Sequence, residues 1–196
     1  MNHDLVIKNI SKHISLDANE TKHLISLLKP KHVSRKELIL KEGDLCRYIN
    51  FVHSGTLRAY YFDRMGKEST IMFAVSDWWV TDMFCFINQH PAMLTIEAVE
   101  ESFILQLHKE DYDQLFMSIP KFEKFFRVLM QNAYIREQLR VIENLSLSAA
   151  DRYHNFLTKY PQVAKQVTQK QIASYLGITP EFLSQIRGAR TKKEIS

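Results

Sequence analysis

Three polar residues near the C-terminus, Glu181, Ser184 and Gln185, have the types and the spacing needed to read base edges in double-stranded DNA. On a helix, residues three or four positions apart share one face. A glutamine can form two hydrogen bonds with adenine, a glutamate can accept one from the cytosine amino group, and a serine can pair with several base edges. If this segment is a helix, we expect the three side chains to enter a major groove.

A second group of residues around this face is suited to phosphate contacts, which orient a protein on DNA without reading its sequence. The group consists of Thr168, Gln169, Thr179, Arg187, Arg190, Lys192 and Lys193, and Pro180 is counted with the DNA-binding set. The charge distribution agrees with this prediction. The net charge is +4, and residues 159–196 hold seven Lys or Arg against two acids. A basic segment of this kind suits a polyanion.

The apolar residues between these positions predict a helix-turn-helix over residues 168–190. Ile172, Ala173 and Leu176 mark the inner face of a short first helix. Gly177 then fits a turn that requires a positive φ, which glycine adopts at little cost. Such a turn between two short helices is typical of DNA-binding domains.

The second helix of the motif is predicted to begin at Pro180. Thr179 is a candidate N-cap, and proline is favoured at the first helical position. Leu183 and Ile186 would face the first helix and leave Gly188 on the exposed side with the polar residues. An ordinary helical hairpin within a core is the alternative interpretation.

The rest of the chain offers little support for metal or redox chemistry. Its histidines, among them His32, His53 and His90, are widely spaced without a His-x-His pair. A metal-dependent β-roll enzyme needs clustered ligands, so we expect neither metal nor catalytic residues. Cys46 and Cys85 lie far apart in the sequence, which disfavours a disulfide framework. Either cysteine, or a histidine, could in principle be the axial ligand of a haem sensor.

Two further features bear on the location of the protein. We expect no secretory leader at the N-terminus and no membrane contact, since no apolar stretch approaches the ~18 residues of a membrane span. Together with the low cysteine content, this predicts a cytoplasmic protein.

Short β-type segments dominate residues 33–107, after an N-terminal region of about 30 residues that is predicted to be helical. Turn pairs such as Ser54-Gly55 and Met65-Gly66 separate the segments, which favours a β-roll or sandwich. The predicted strands are Leu38–Leu40, Asn50–His53, Thr56–Phe62, Ser69–Phe73, Thr95–Val99 and Phe103–Leu107. The fold class is therefore predicted to be α+β.

A long helix is predicted to follow, with a break near Ile119-Pro120. Apolar residues recur along it at alternating spacings of three and four, which is a heptad pattern. The members of this stripe are Phe125, Val128, Asn132, Ile135, Leu139 and Ile142. We expect them to form the interface of a homodimer, with Asn132 fixing the register across the two-fold axis. A second stripe, at Phe122, Phe126, Leu129 and Ala133, would pack on the β-roll. A helix buried wholly within its own subunit remains the alternative.

In this order of elements the chain resembles the cyclic-AMP receptor protein and fumarate–nitrate regulator (Crp/Fnr) family. The resemblance is carried by residues 41–44 (KEGD), 51–58 (FVHSGTLR), 96–100 (IEAVE) and the helix-turn-helix. It implies a sensory β-roll over residues 1–118, a dimerisation helix over 119–146 and a DNA-binding domain over 147–196. It also implies a pseudo-palindromic operator, an effector that shifts the conformation of the dimer, and possible contact with RNA polymerase.

The chain departs from the family where cyclic nucleotides bind. Family members that bind them carry a Gly-Glu-Leu turn and an Arg-Ser pair, whereas this chain reads SDWWVTDM over residues 76–83 and HPAMLT over 90–95. We therefore expect no useful affinity for cyclic AMP and leave the effector unknown. An apolar effector pocket could be lined by Trp78, Trp79, Met83, Phe84, Met93 and Leu94; residues of these types can equally fill a core.

The DNA-binding end also departs from the family. Pro180 and Gln185 stand where the best-known activators have arginines, although Glu181 is retained, so the operator sequence cannot be transferred. Residues 160–167 are too few for the usual β-hairpin, which predicts a reduced wing. A regulator that acts through a protein partner, with no DNA contact, is the competing hypothesis.

Overall fold

The computed structural model describes residues 3–194, with side chains described to residue 189. Its strands form an antiparallel roll that occupies the first half of the chain. They are β1 (Leu28–Val33), β2 (Leu38–Leu40), β3 (Tyr48–Ser54), β4 (Thr56–Phe62), β5 (Glu68–Val75), β6 (Trp78–Val80), β7 (Thr95–Ala98) and β8 (Ser102–His108).

Helices precede, interrupt and follow this roll. They are α1 (Asp4–Ser11), α2 (Ala18–Leu27), α3 (Met83–Asn88), α4 (Lys109–Ser118), α5 (Lys121–Ser146), α6 (Ala149–Lys159), α7 (Val163–Gln166), α8 (Gln169–Leu176) and α9 (Pro180–Glu194). Among the described residues, none of these helices is both long and apolar enough to cross a membrane.

The roll consists of two four-stranded sheets, with strand orders β1-β8-β3-β6 and β2-β7-β4-β5. Their inner faces share one core that includes Phe51, Leu57 and Ile104, all fully buried. Gly55 permits the tight turn from β3 to β4. Its φ is +88°, and a Cβ there would lie 2.3 Å from Ser102 Oγ.

The N-terminal helices close one side of the roll. Val6 and Ile10 of α1 and Leu24 of α2 are buried in its core. A capping box fixes the start of α2, because the Asp17 side chain accepts from backbone N–H groups while Glu20 accepts from the Asp17 N–H.

Three elements of the roll differ from the sequence-based prediction. Residues Leu28–Pro30 begin β1, although the first 30 residues were expected to be helical, because β1 pairs along its length with β8. Pro30 is tolerated because β1 is an edge strand. Strand β6 and helix α3 were not predicted, because both are too short to show a periodic pattern.

Helix α5 changes its environment along its length. Its first turns carry Phe122, Phe125 and Phe126, which are buried in the core of the roll. From residue 131 onward none of its described side chains is buried. The prediction of a long helix is confirmed, but its apolar residues serve two different surfaces.

A second core joins the C-terminal helices to the outer face of β5. Phe73 of β5 packs with Phe156 of α6 and Tyr175 of α8, with ring centroids 6.1 and 5.5 Å apart. Ile172 and Leu183 are buried in the same cluster. The sheet that contains β5 is therefore covered on both faces, by the core of the roll and by the C-terminal helices.

Candidate nucleic-acid interface

Helices α8 and α9 form the predicted helix-turn-helix, and local hydrogen bonds define its boundaries. Thr168 Oγ1 accepts from the Gln171 N–H at 3.2 Å, and the Gln171 side chain accepts from the Thr168 N–H at 2.8 Å. Gly177 ends α8 with a φ of +68°. Thr179 then caps α9, since its hydroxyl accepts from the Phe182 N–H at 3.2 Å.

The apolar residues of the motif pack as the sequence indicates. Ile172, Ala173 and Leu176 of α8 and Leu183 of α9 are buried, with Ala173 and Leu183 fully excluded from solvent. Ile186 is half-buried against the same cluster. The small side chain of Ala173 lets the two helices approach closely.

The residues predicted to contact DNA bases lie on the opposite side of α9. Pro180, Glu181, Ser184 and Gln185 are all exposed, as is Gly188. A polar face on a helix that is held only by its apolar side is free to enter a groove.

The residues predicted to contact phosphate surround this face, although two of them already have a structural role. Thr168, Gln169, Thr179 and Arg187 are exposed. The hydroxyls of Thr168 and Thr179 cap helices, and Thr168 Oγ1 also lies 3.2 Å from Gln171 Oε1. The side chains of Arg190, Lys192 and Lys193 lie outside the described residues.

Phe182 is a residue at this surface that the sequence analysis left out. It occupies the first turn of α9, between Glu181 and Leu183, and is 46% exposed. An aromatic side chain at this position does not suggest a DNA contact in the sequence. Only its solvent exposure in the structure distinguishes it from a core residue.

The side of the motif away from α9 is fixed to the roll by polar contacts. Ser174 of α8 accepts a hydrogen bond from the Thr70 N–H at 2.8 Å and donates to the Glu68 carbonyl at 3.0 Å. Gln166, just before the motif, bonds Thr56 Oγ1 at 3.2 Å and Glu100 Oε2 at 2.8 Å. These contacts use α8 and the preceding helix α7, while Glu181, Ser184 and Gln185 of α9 are exposed.

Arg140 links the long helix to both neighbouring units. Its guanidinium donates to the carbonyls of Ile71 and Thr70 in β5 and to the carbonyl of Tyr175 in α8. Burial raises the pKa of Tyr175 and that of Tyr160 beside it.

The segment from α6 to α8 also bears on the wing. Residues 160–167 contain the four-residue helix α7, and the described residues after the roll include no strand. The predicted reduction of the wing agrees with this arrangement.

The predicted dimer stripe is only partly available for an interface. Phe125 was assigned to it wrongly: its side chain is fully buried in its own subunit, against Trp79, Phe122 and Phe126. Its heptad position coincides with the stretch of α5 that packs on the roll.

The rest of that stripe faces outward. Ile135, Leu139 and Ile142 are each about half exposed, Asn132 is exposed and Val128 is half-buried. Further apolar side chains extend the surface, namely Tyr134, Val141 and Leu145. Neighbouring exposed apolar side chains on one helix are typical of a protein–protein interface.

Of the six residues proposed for an effector pocket, Trp78, Trp79, Met83 and Leu94 lie in or against the core of the roll, as the core-filling alternative expects. Alternation along β6 places Trp78 against Tyr160 and Arg136, whereas Trp79 is buried against Phe51. Met83 and Leu94 pack on the core of the roll. Phe84 and Met93 are about half exposed.

The segment that differs from nucleotide-binding relatives is organised around a buried carboxylate. Asp82 is 2% exposed and caps α3 by accepting from the Cys85 N–H at 3.1 Å. Its other oxygen accepts from the N–H groups of Met93 and Leu94, at 2.8 and 3.0 Å. Three backbone donors of this segment are therefore taken by an internal carboxylate.

Arg58 is the buried cation of the roll, and it is neutralised internally. Its guanidinium contacts Glu68 at 2.5 Å and Glu97 at 2.7 Å. Burial alone would lower the pKa of Arg58, but the two carboxylates outweigh that effect and raise it. The sequence analysis gave Arg58 no role.

The two cysteines, which are distant in the sequence, meet in the structure. Both are buried, and the Cys46 N–H donates to Cys85 Sγ at 3.0 Å. Burial raises the pKa of both thiols, that of Cys85 to about 11. Among the described residues, no cluster of three or more His, Cys, Asp or Glu side chains is arranged to hold a metal ion.

Comparison with known proteins connects this architecture to a group of regulators. Residues 30–118 match the family model of the cyclic nucleotide-binding domain. The chain is 25% identical over 204 residues to the fumarate and nitrate reduction regulatory protein of Vibrio cholerae, covering 98% of this chain and 81% of that protein. It is 24% identical over 200 residues to electron transport regulator A of Shewanella oneidensis, covering 95% and 78%.

A solved structure shows the same fold. It comes from Eubacterium rectale and is described as a transcriptional regulator of the Crp/Fnr family. The TM-score is 0.74 at 20% identity, and the match covers 90% of this chain and 85% of the other. The similarity thus extends over the roll, the long helix and the C-terminal helices.

Proposed function

We propose that this chain is a transcription regulator of the Crp/Fnr family and that it binds double-stranded DNA as a homodimer through α8 and α9. The observation that carries the proposal is the division of α9 into two sides. Leu183 is fully buried against α8, while Glu181, Ser184 and Gln185 are exposed together. A capped helix with a free polar side is the geometry that a major groove accepts.

In this proposal Gln185 and Glu181 read bases and Ser184 tolerates several base edges. Arg187, Gln169 and the basic residues that follow, Arg190, Lys192 and Lys193, contact phosphates. The hydroxyl of Thr168 already donates to Gln171 Oε1, so it contributes little to a phosphate contact. The hydroxyl of Thr179 accepts from the Phe182 N–H and can still donate to a phosphate.

The dimer follows from the outward half of α5. Ile135, Leu139 and Ile142 are spaced by four and three residues, which is the spacing of a coiled-coil seam. Asn132 is the polar member of the same stripe and would pair with its copy across the axis. Two copies joined along α5 would place two α9 helices on one operator.

The operator test is selection of bound fragments from genomic DNA. The proposal requires a pseudo-palindromic site with half-sites about one helical turn, roughly 10 base pairs, apart. A single half-site, or no enriched sequence, would count against the dimeric arrangement. If the purified protein retains fragments equally at every salt concentration, their retention does not reflect ionic binding to DNA.

Salt dependence separates DNA binding from action through a protein partner. Each phosphate contact releases counterions, so the logarithm of the affinity falls by about 0.9 per logarithm of salt concentration for every contact. Loss of affinity with a slope of several units supports the proposal. Absence of duplex binding at low salt would support a protein partner for α9.

We also propose that the roll does not bind cyclic AMP. The support is the internal use of two groups that are suited to a phosphate: Asp82 accepts from the N–H groups of Cys85, Met93 and Leu94, and Arg58 is held by Glu68 and Glu97. Calorimetric titration of the purified protein with cyclic AMP should show no heat of binding at micromolar concentration. A micromolar dissociation constant would contradict this proposal.

In this proposal the protein acts in the cytoplasm.

A further inference from the structure

Phe182 is the exposed aromatic side chain on the first turn of α9. It is 46% exposed, whereas the next residue, Leu183, is fully buried. A helix advances about 100° per residue, so Phe182 lies at the edge of the face that packs on α8, one turn from Ile186. Its own subunit therefore covers only about half of this residue.

The backbone at Phe182 is held in place. Its N–H donates to Thr179 Oγ1 at 3.2 Å, and the Leu183 N–H donates to the Thr179 carbonyl at 3.0 Å. Side chains on a helix lean toward its N-terminus. The ring therefore leans toward the end of α9 that enters a groove first in helix-turn-helix proteins.

The position of Phe182 relative to the base-reading residues is also defined. Phe182 and Gln185 are three residues apart, so their side chains are neighbours on the helix surface. Glu181 precedes Phe182 and is exposed. An apolar ring thus borders the polar set that is proposed to read base edges.

The chemistry of the major groove offers such a ring one apolar partner. A benzyl side chain has no hydrogen bond to offer, and placing it against a phosphate or a polar base edge would remove water from that group without compensation. Thymine alone presents a methyl group in the groove, at its C5 position. Contact between the ring and this methyl group removes apolar surface of both groups from water.

We propose that Phe182 determines specificity at one base pair of each half-site by contacting the C5-methyl of a thymine. This inference rests on the proposed function, since it requires that α9 enters a major groove.

The experiment uses the full-length protein and a duplex obtained by selection from random sequences. Each thymine of one half-site is replaced in turn by deoxyuridine, which removes only the methyl group. At one thymine we expect the affinity of the wild-type protein to fall about fourfold, the effect of exposing one methyl group. Phe182→Ala should bind the thymine and deoxyuridine duplexes equally at that position.

Two further variants make the result specific. Phe182→Leu retains an apolar side chain and should keep part of the difference between thymine and deoxyuridine. Met117→Ala removes a side chain that is 87% exposed on α4, far along the chain from the motif, and should respond to deoxyuridine as the wild type does. Thermal unfolding of each variant verifies that it is folded.

The outcomes distinguish a failure of the proposed DNA binding from a failure of the role assigned to Phe182. If the protein binds no duplex, the proposed function fails. The assignment of Phe182 is wrong if the protein binds a selected duplex but no deoxyuridine replacement lowers its affinity. It is also wrong if the deoxyuridine replacement lowers the affinity of Phe182→Ala as much as that of the wild type. In both cases the DNA-binding function stands.

Discussion

The guanidinium of Arg140 donates a hydrogen bond to the backbone carbonyl of Tyr175 at 3.3 Å and lies 4.5 Å from the centroid of the same residue's ring. Arg140 belongs to the proposed dimerisation helix, and Tyr175 to the first helix of the helix-turn-helix. Through its bonds to the carbonyls of Thr70 and Ile71, the same side chain also contacts the roll. One residue therefore joins the three units whose relative placement determines how α9 is presented.

Arg140→Met tests this connection. We expect a loss of about 2 kcal/mol in the free energy of unfolding, typical of hydrogen bonds from a charged group, measured by urea denaturation. Limited proteolysis should also show faster cleavage near Leu147, between α5 and α6. Arg127→Met is the matched control, because Arg127 is exposed on the same helix and bonds only Gln131 among its described contacts. Superimposable unfolding curves for Arg140→Met and the wild type would show that the connection adds no stability.

Leu139→Glu and Ile142→Glu test the dimer. Each places a charge in the centre of the proposed interface at a position that is about half exposed in the single subunit, so folding should be preserved while association is lost. Sedimentation velocity at micromolar concentration should show a dimer for the wild type and a monomer for both variants. Met117→Glu changes an exposed side chain elsewhere and should remain dimeric. A monomeric wild type would refute the interface.

Arg187→Ala and Gln185→Ala separate orientation from sequence reading. Arg187→Ala should weaken binding to all duplexes about equally and reduce the salt slope by about 0.9. Gln185→Ala should cost about 1 to 3 kcal/mol at one base step and relax specificity there. Both effects are measured by fluorescence anisotropy on the selected operator and its single-base variants. If neither substitution changes binding, α9 does not dock as proposed.

Asp82→Ala should destabilise the roll. It leaves the N–H groups of Cys85, Met93 and Leu94 without their acceptor in a buried site, and we expect a loss of about 3 kcal/mol. Thermal unfolding provides the measurement. Asp82→Asn is the matched variant: it keeps one oxygen acceptor and should lose less. Equal melting temperatures for all three proteins would mean that the carboxylate does not organise this segment.

The buried thiol of Cys85 predicts a loss of stability in alkaline solution. Burial raises its pKa from 9.0 to about 11, so the folded state retains a proton that the unfolded state releases. This contribution is fully present below pH 9 and is lost as the pH rises from about 9 to 11. Urea unfolding at pH 7, 9 and 10.5 should show a steeper decline for the wild type than for Cys85→Ser.

Local sequence was enough to predict the helix-turn-helix, because the signals that define it act between residues a few positions apart. Thr168 with Gln171, Gly177, and Thr179 with the Phe182 N–H form caps and a turn within single helical turns. The strands β4, β5 and β8 were predicted within one or two residues for a similar reason, since alternating residues between turns carry their own pattern.

What the sequence alone determined about this protein is therefore most of the local elements, their order, and the face of α9 that stays polar. The tertiary structure decided which apolar face meets which partner: it buried Phe125 in the roll, separated Trp78 from Trp79, paired β1 with β8, and brought Cys46 to Cys85. The physical reason is that periodicity reports that a side chain avoids water, whereas the surface that covers it depends on residues distant in the chain. Burial against the core of the roll, against α6 to α9 or against a second subunit produces the same apolar pattern.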